Sequence, residues 1–167
     1  MKINNWPERP QIIEAKRIRA GQKTCPSIKR QVDRMKKRGI INAQLSGLIA
    51  GLGHKDTFMI ADGGMPIPKG VEIVDLALCG GVPSFGQVMD AVLDETEVEF
   101  YTLAEEITEK NPELLAYIKE KLPGVESEMI SHLELKDRSK NLKFAIRTGE
   151  FTPYPNSILR AGVAFPA

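Results

Sequence analysis

Histidine is scarce in this chain: among 167 residues only His54 and His132 occur. Two imidazoles do not make up a usual zinc set, so no metal is expected. Cysteine is equally scarce, and Cys25 and Cys79 lie far apart with no CxxC pairing. That excludes a disulfide framework and leaves two reduced thiols. Long apolar runs are missing too: none approaches the roughly 20 residues that a bilayer span requires, and the N-terminus has no apolar stretch of the roughly 7 to 15 residues found in a secretion signal. Neither a membrane span nor export is expected, which makes the cytoplasm the expected compartment. The phosphate loop GxxxxGK[ST], the dinucleotide motif GxGxxG, the nucleophile elbow GxSxG and the zincin motif HExxH are all absent. The chemistries built on them therefore lack their key residues, and no cofactor is expected.

What the chain does have is a composition suited to one core: 42% apolar and 27% charged residues, enough for a single domain with an appendage. Its net charge of +1 conceals an asymmetry. Residues 1–34 hold nine Lys and Arg against three acids, a net of +6, leaving 14 against 19, or −5, for the remainder. A basic arm can bind phosphates and Trp6 could stack on a base, but Pro7, Pro10 and the shortage of large apolar residues favour a solvated, dispensable tail. No nucleic-acid partner is expected. Met35, followed by Lys36, Lys37 and Arg38, reads as a second start, so residues 35–167 are taken as the domain.

Within that domain, helical and strand patterns alternate. Asn42 can cap a helix carrying Leu45, Leu48, Ile49 and Leu52 at i, i+3, i+4, i+7 spacing, with Gly53 as its terminator. TFMIA at 57–61 reads as a short buried strand, broken by Asp62-Gly-Gly. A second strand is expected over 71–78. Ser84 can cap a helix through Val88, Ala91 and Val92; 97–103 reads as a strand, and Asn111-Pro112 opens another helix. Residues 142–147 and 157–163 complete the strands. The expected fold is α/β, a single layered domain with a mainly parallel or mixed sheet flanked by helices.

A site built from side chains alone remains. His54 follows a helix end, Asp62 sits at the carboxyl end of a strand, where open α/β sheets place their ligands, and residues 148–156 (TGEFTPYPN) form a polar, aromatic cluster. Each has a plain structural reading as well. His54 suits the dipole at a helix C-terminus, Asp62 suits a turn before two glycines, His132 after Ser131 suits the first turn of a helix, and Tyr154 between two prolines suits packing in a rigid loop. From the residues alone both sets of readings stand. Asp56, two residues on from His54, is a candidate to orient the imidazole.

The segments GIIN at 39–42, GLGHKDTFMIADGGMPIP at 51–68, VDLAL with GVPSF at 74–85, AEEI at 104–107 and IRTGEFTPYPNSILRAGVAF at 146–165 resemble the D-ribose pyranase family, relatives of fucose mutarotase. The resemblance runs from Met35 to Phe165 and implies interconversion of the pyranose and furanose forms of D-ribose or a related free monosaccharide. It implies His54 as proton donor and Asp62, His132, Tyr154, Pro155 and Asn156 as substrate-binding residues. Pro155 replaces the small residue usual in the family, and MPIP is closer to the ribose than to the fucose branch. The family's ring-like homo-oligomers, commonly decamers, imply a shared site in which Tyr154 and Asn156 of one chain complete a pocket holding His54 and Asp62 of the next. A fucose-type mutarotase and a non-catalytic sugar-binding or regulatory protein are the alternative expectations.

Overall fold

The structure is a computed structural model that describes residues 36–165; the basic extension over 1–34 lies outside the described residues. Helix α1 (Ala43–Ala50) starts where the Asn42 side chain accepts the Leu45 N–H at 2.9 Å, and it buries Leu45 and Ile49. It ends at Gly51, two residues before the expected terminator. Gly53 instead donates its N–H to Asp56 in the turn that follows. Strand β1 (Thr57–Ala61) comes next, then β2 (Glu72–Asp75) and α2 (Phe85–Leu93). The start of α2 is fixed by a capping box, in which Ser84 and Gln87 each satisfy the other's backbone N–H. Its inner face is Phe85, Val88, Met89 and Val92, the i, i+3, i+4, i+7 pattern of a helix lying on a core.

Strand β3 (Val98–Ala104) and the single turn α3 (Ile107–Lys110) lead to α4 (Pro112–Lys121), capped by Asn111 with proline in its first turn. Then come β4 (Glu126–Ile130), α5 (His132–Arg138), a 3₁₀ turn at Ser139–Asn141, β5 (Phe144–Arg147) and β6 (Ser157–Ala161). The order across the sheet is β2-β5-β1-β6-β3-β4. The pairs β2–β5, β5–β1 and β3–β4 are parallel, whereas β6 runs antiparallel to both β1 and β3. The sheet is therefore mixed and has helices on it, as expected. Strand β2 is shorter than the expected 71–78 because the Asp75 side chain accepts the Ala77 N–H and turns the chain. Strand β4 had no counterpart in the expected set. It is an edge strand in which only Ile130 is buried, so its sequence ESEMI lacks an apolar repeat; charge on an edge also guards against pairing with other chains.

Side chains alternate across the strands. On one face Phe58, Ile60, Phe144, Ile146 and Leu159 meet the apolar sides of α1, α2 and α4. On the other Met59, Ala61, Ala145 and Ile158 meet Met65, Leu135 and Leu142. Four of the five β1 residues are buried, which is why that strand reads as a continuous apolar run. The Phe58 and Phe144 rings, paired in register, stack with centroids 5.2 Å apart. Phe144→Ala is expected to cost about 3–5 kcal/mol through cavity formation in this layer, read as a fall in the urea midpoint without loss of the folded baseline.

Candidate active site

Five of the six strands point the same way, so their carboxyl ends share one edge. Asp62 leaves β1 there, Glu106 follows β3, His132 follows β4, Thr148 follows β5, and the loop 148–156 returns to the start of β6. Asn156, 1% exposed, locks this edge together. Its Oδ1 accepts the Asp62 N–H at 3.0 Å and its Nδ2 donates to Asp62 Oδ2 at 2.8 Å, while Asp62 Oδ1 accepts from Gly64 N–H at 2.8 Å. The carboxylate is held on both oxygens and keeps lone pairs for a ligand.

The loop that carries Tyr154 is tied down along its length. Thr148 is fully buried and donates its hydroxyl to the Ala61 carbonyl at 2.8 Å. A side chain at Gly149 would run into the carbonyls of Cys79 and Val82, so only glycine lets this strand end pass beneath the 79–83 turn. The Glu150 carboxylate accepts N–H groups from Phe151 and Thr152 at 3.1 Å and from Phe85, at the start of α2, at 3.2 Å. Burial alone would raise its pKa; the donors on Thr152, Phe85 and Phe151 outweigh that and hold it below the ordinary carboxylate value. The Asn111 amide reaches over to Thr152 Oγ1 and the Pro153 carbonyl. Phe151 lies across Gly63 and Gly80, where an added methyl would sit 2.9 and 3.2 Å from the ring.

Tyr154 has φ +60°, a left-handed conformation that a bulky residue adopts only where its surroundings enforce it. Its ring meets the His132 ring edge-on, with centroids 5.1 Å apart at 89°. The His132 backbone N–H donates to both oxygens of Glu106 at 3.1 Å, which anchors the first turn of α5. Burial, helped by the charge of Lys136, lowers the His132 pKa; Glu106 and Asp62 pull it the other way. The imidazole is thus neutral near pH 7, and its Nδ1 is buried with no protein partner. Asp62, His132, Tyr154, the buried Pro155 and Asn156 lie together at this edge.

His54 does not join them. It precedes β1, whose five residues at about 3.3 Å each put its two ends about 16 Å apart. The expectation that His54 and Asp62 of one chain share a pocket is therefore not met, because one strand separates them lengthwise. At its own edge of the sheet the His54 side chain is 49% exposed and its Nε2 lies 2.9 Å from Glu99 Oε2. Arg160 Nε is 2.8 Å from the other Glu99 oxygen, and its guanidinium lies over the Phe100 ring at 4.6 Å. The hydrogen bond from His54 is the main cause of a lowered Glu99 pKa, with the charges of His54 and Arg160 adding to it against partial burial. Asp56 is not the orienting group: its carboxylate pairs with Lys143 and accepts the Gly53 N–H.

Glu106 and Glu150 sit inside the segments AEEI and TGEF, where the sequence alone suggests no role for them. Glu99 and Arg160 lie in strands where nothing in the local sequence singles them out. Among the described residues no group of three or more His, Cys, Asp and Glu side chains is placed to hold a metal ion, and no helix is long and apolar enough to cross a membrane.

Residues 35–164 match the RbsD / FucU transport protein family. A D-ribose pyranase of Geobacillus kaustophilus is 50% identical over 131 residues, which are 78% of this chain and 96% of that protein. A solved structure of Bacillus subtilis RbsD complexed with D-ribose superposes with a TM-score of 0.76 at 44% identity, covering 78% of this chain and all of that one. The fucose mutarotase of Streptococcus pneumoniae, solved in complex with L-fucose, superposes with a TM-score of 0.65 at 20% identity over 75% of this chain and 95% of that one. At that identity the likeness concerns the fold alone.

The lowered His132 pKa makes a prediction with a definite sign. A histidine that resists protonation when folded contributes stability that is complete above its unfolded pKa, about 6.5, and is lost as pH falls through the lower folded value. The His132 imidazole should titrate below 6.5 by NMR, and replacing it with Asn should flatten the acid side of the stability profile in urea unfolding.

Proposed function

This chain belongs to the RbsD / FucU transport protein family, and we propose that its domain interconverts the pyranose and furanose forms of D-ribose. The observation that carries this is the half-identical match to D-ribose pyranases along nearly their whole length, together with the carboxyl-edge cluster of Asp62, His132, Tyr154 and Asn156. Opening a cyclic hemiacetal delivers a proton to the ring oxygen and removes one from the anomeric hydroxyl. Reclosure by a different hydroxyl gives the other ring size. Nothing is oxidised and no group is transferred, so positioned acid and base groups suffice; such groups typically contribute about 10² to 10⁴ in rate.

His54 is the proton donor in this reading, being exposed and the one imidazole free of the buried cluster. Asp62 and Asn156 take sugar hydroxyls, since both keep unused hydrogen-bonding capacity at a mouth fixed by their mutual bonds. Neutral His132 can accept one hydrogen bond and donate another, while Tyr154 offers a flat apolar face with a polar tip. The fucose-type and purely binding alternatives differ in substrate and in rate, respectively.

The length of β1 supports a further element of the proposal: His54 of one subunit completes the cluster of its neighbour. Such head-to-tail sharing brings unlike patches together and closes into a ring, in line with a homo-oligomer of the decameric size that the resemblance implies. The proposed compartment is the cytoplasm, and the 1–34 extension is proposed to be dispensable, since the family match begins at residue 35.

NMR exchange spectroscopy on ribose at equilibrium tests the reaction, because ring-form exchange yields no new compound. His54→Ala should slow the catalysed exchange by about 10² to 10⁴ with ribose affinity nearly unchanged; undiminished exchange in a folded variant would favour a binding protein. Asp62→Asn keeps the bond from its backbone N–H to Asn156 Oδ1 but puts an NH2 where one carboxylate oxygen accepts from Gly64 or Asn156, and should also be nearly inactive. Mixed rings of the two variants, refolded together, should regain part of the activity at junctions that pair an intact His54 with an intact Asp62. Mixed rings no more active than either parent would rule out sharing. A chain beginning at Met35 should match the full chain in rate.

A further inference from the structure

We infer that Glu99 is the positioning residue for His54, an inference that rests on the reading of His54 as proton donor. A carboxylate can only accept hydrogen bonds, so the 2.9 Å contact of Glu99 Oε2 with His54 Nε2 requires the ring proton on Nε2. The remaining nitrogen, Nδ1, is then the one that meets the sugar: a lone pair when the ring is neutral and a donor when it is charged. A carboxylate that fixes tautomer and ring orientation is a general device for histidines that move protons.

The surroundings of the pair fit this role. His54 sits on a turn with Lys55 at φ +71° and is half exposed, so its own loop gives the ring no fixed direction. Glu99 lies in β3, and Arg160, in β6, is the register partner of Phe100; the orienting carboxylate is thus carried by the sheet. Arg160 Nε lies 2.8 Å from the other Glu99 oxygen as an ion pair, without hydrogen-bond alignment, and its guanidinium is seated on the Phe100 ring, so Oε2 is the oxygen that meets His54. Lys55 and Asp56 are the charged residues that follow His54 in the chain, and Asp56 is engaged by Lys143. Ion pairs as exposed as this one contribute little to stability, so the arrangement calls for an explanation other than holding the fold together.

The test uses full-length protein with Glu99→Gln and Glu99→Leu. Ribose exchange should fall about tenfold for Gln, which can still accept the Nε2 proton, and about a hundredfold for Leu, in the range seen when orienting partners are removed. Ribose affinity should stay within about twofold. With only two histidines, the imidazole ¹⁵N–¹H resonances are assigned by comparison with His54→Ala, and the His54 Nε2–H signal should be seen in the parent and lost in Glu99→Leu. Exchange within about twofold of the parent, or an unchanged Nε2–H signal in Glu99→Leu, would overturn the inference. So would a loss confined to affinity, which would make Glu99 a sugar contact. A parent protein that accelerates no ribose exchange would instead remove the reading of the reaction, while the Nε2–H signal would still decide whether Glu99 holds the ring.

Discussion

One antiparallel strand in an otherwise parallel sheet determines where the candidate residues lie. Strand β6 runs between β1 and β3 in the opposite sense, so its first residues are at the carboxyl edge and its last at the amino edge. Asn156, just before it, fastens Asp62; Arg160, near its end, fastens Glu99. A five-residue strand therefore holds both halves of the proposed chemistry at a fixed separation. Were β6 parallel, the 148–156 loop would have to cross the sheet to deliver Tyr154, and the buried reciprocal amide–carboxylate pair could not form.

The two edges are built by different physics. At the carboxyl edge polar groups are buried or half-buried and most are paired: Thr148 on the Ala61 carbonyl, Glu150 on three backbone N–H groups, and Asn156 on Asp62. Buried polar groups cost free energy unless they are satisfied, so each bond here restricts the loop to one shape and offsets the left-handed strain at Tyr154. At the amino edge His54 is half exposed and the Glu99–Arg160 pair is part-exposed, so attraction between charges there is partly screened. The first arrangement gives a rigid recognition surface; the second gives a side chain that water and a neighbour can reach.

Much of this was legible in the sequence wherever local rules decide. Asn42, Ser84 and Asn111 cap helices as their identities predict, and the apolar run TFMIA is a strand buried on both faces. Asp62 stands at the carboxyl edge for the reason that the general rule for open sheets gives. What local rules could not supply was lengthwise distance. A motif such as GHKDTFMIAD looks like one site on paper, yet its histidine and its final aspartate lie at opposite ends of a strand. Glu99 was invisible for a related reason: its partner is 45 residues away in sequence, and an acidic residue near the start of a strand is otherwise unremarked. Strand β4 escaped because an edge needs no apolar alternation, so periodicity had nothing to register.

The ring of Phe151, lying across Gly63 and Gly80, bears on how such a sequence can change over generations. Neither glycine is required by its own backbone, since neither has positive φ; a side chain at either would meet the Phe151 ring, most closely at Gly63. The ring is 78% exposed, so it can swing aside at the cost of this contact. The three positions are therefore coupled. A smaller residue at 151 would remove the ring from above both glycines, so the effect of a substitution at 63 or 80 depends on which residue stands at 151.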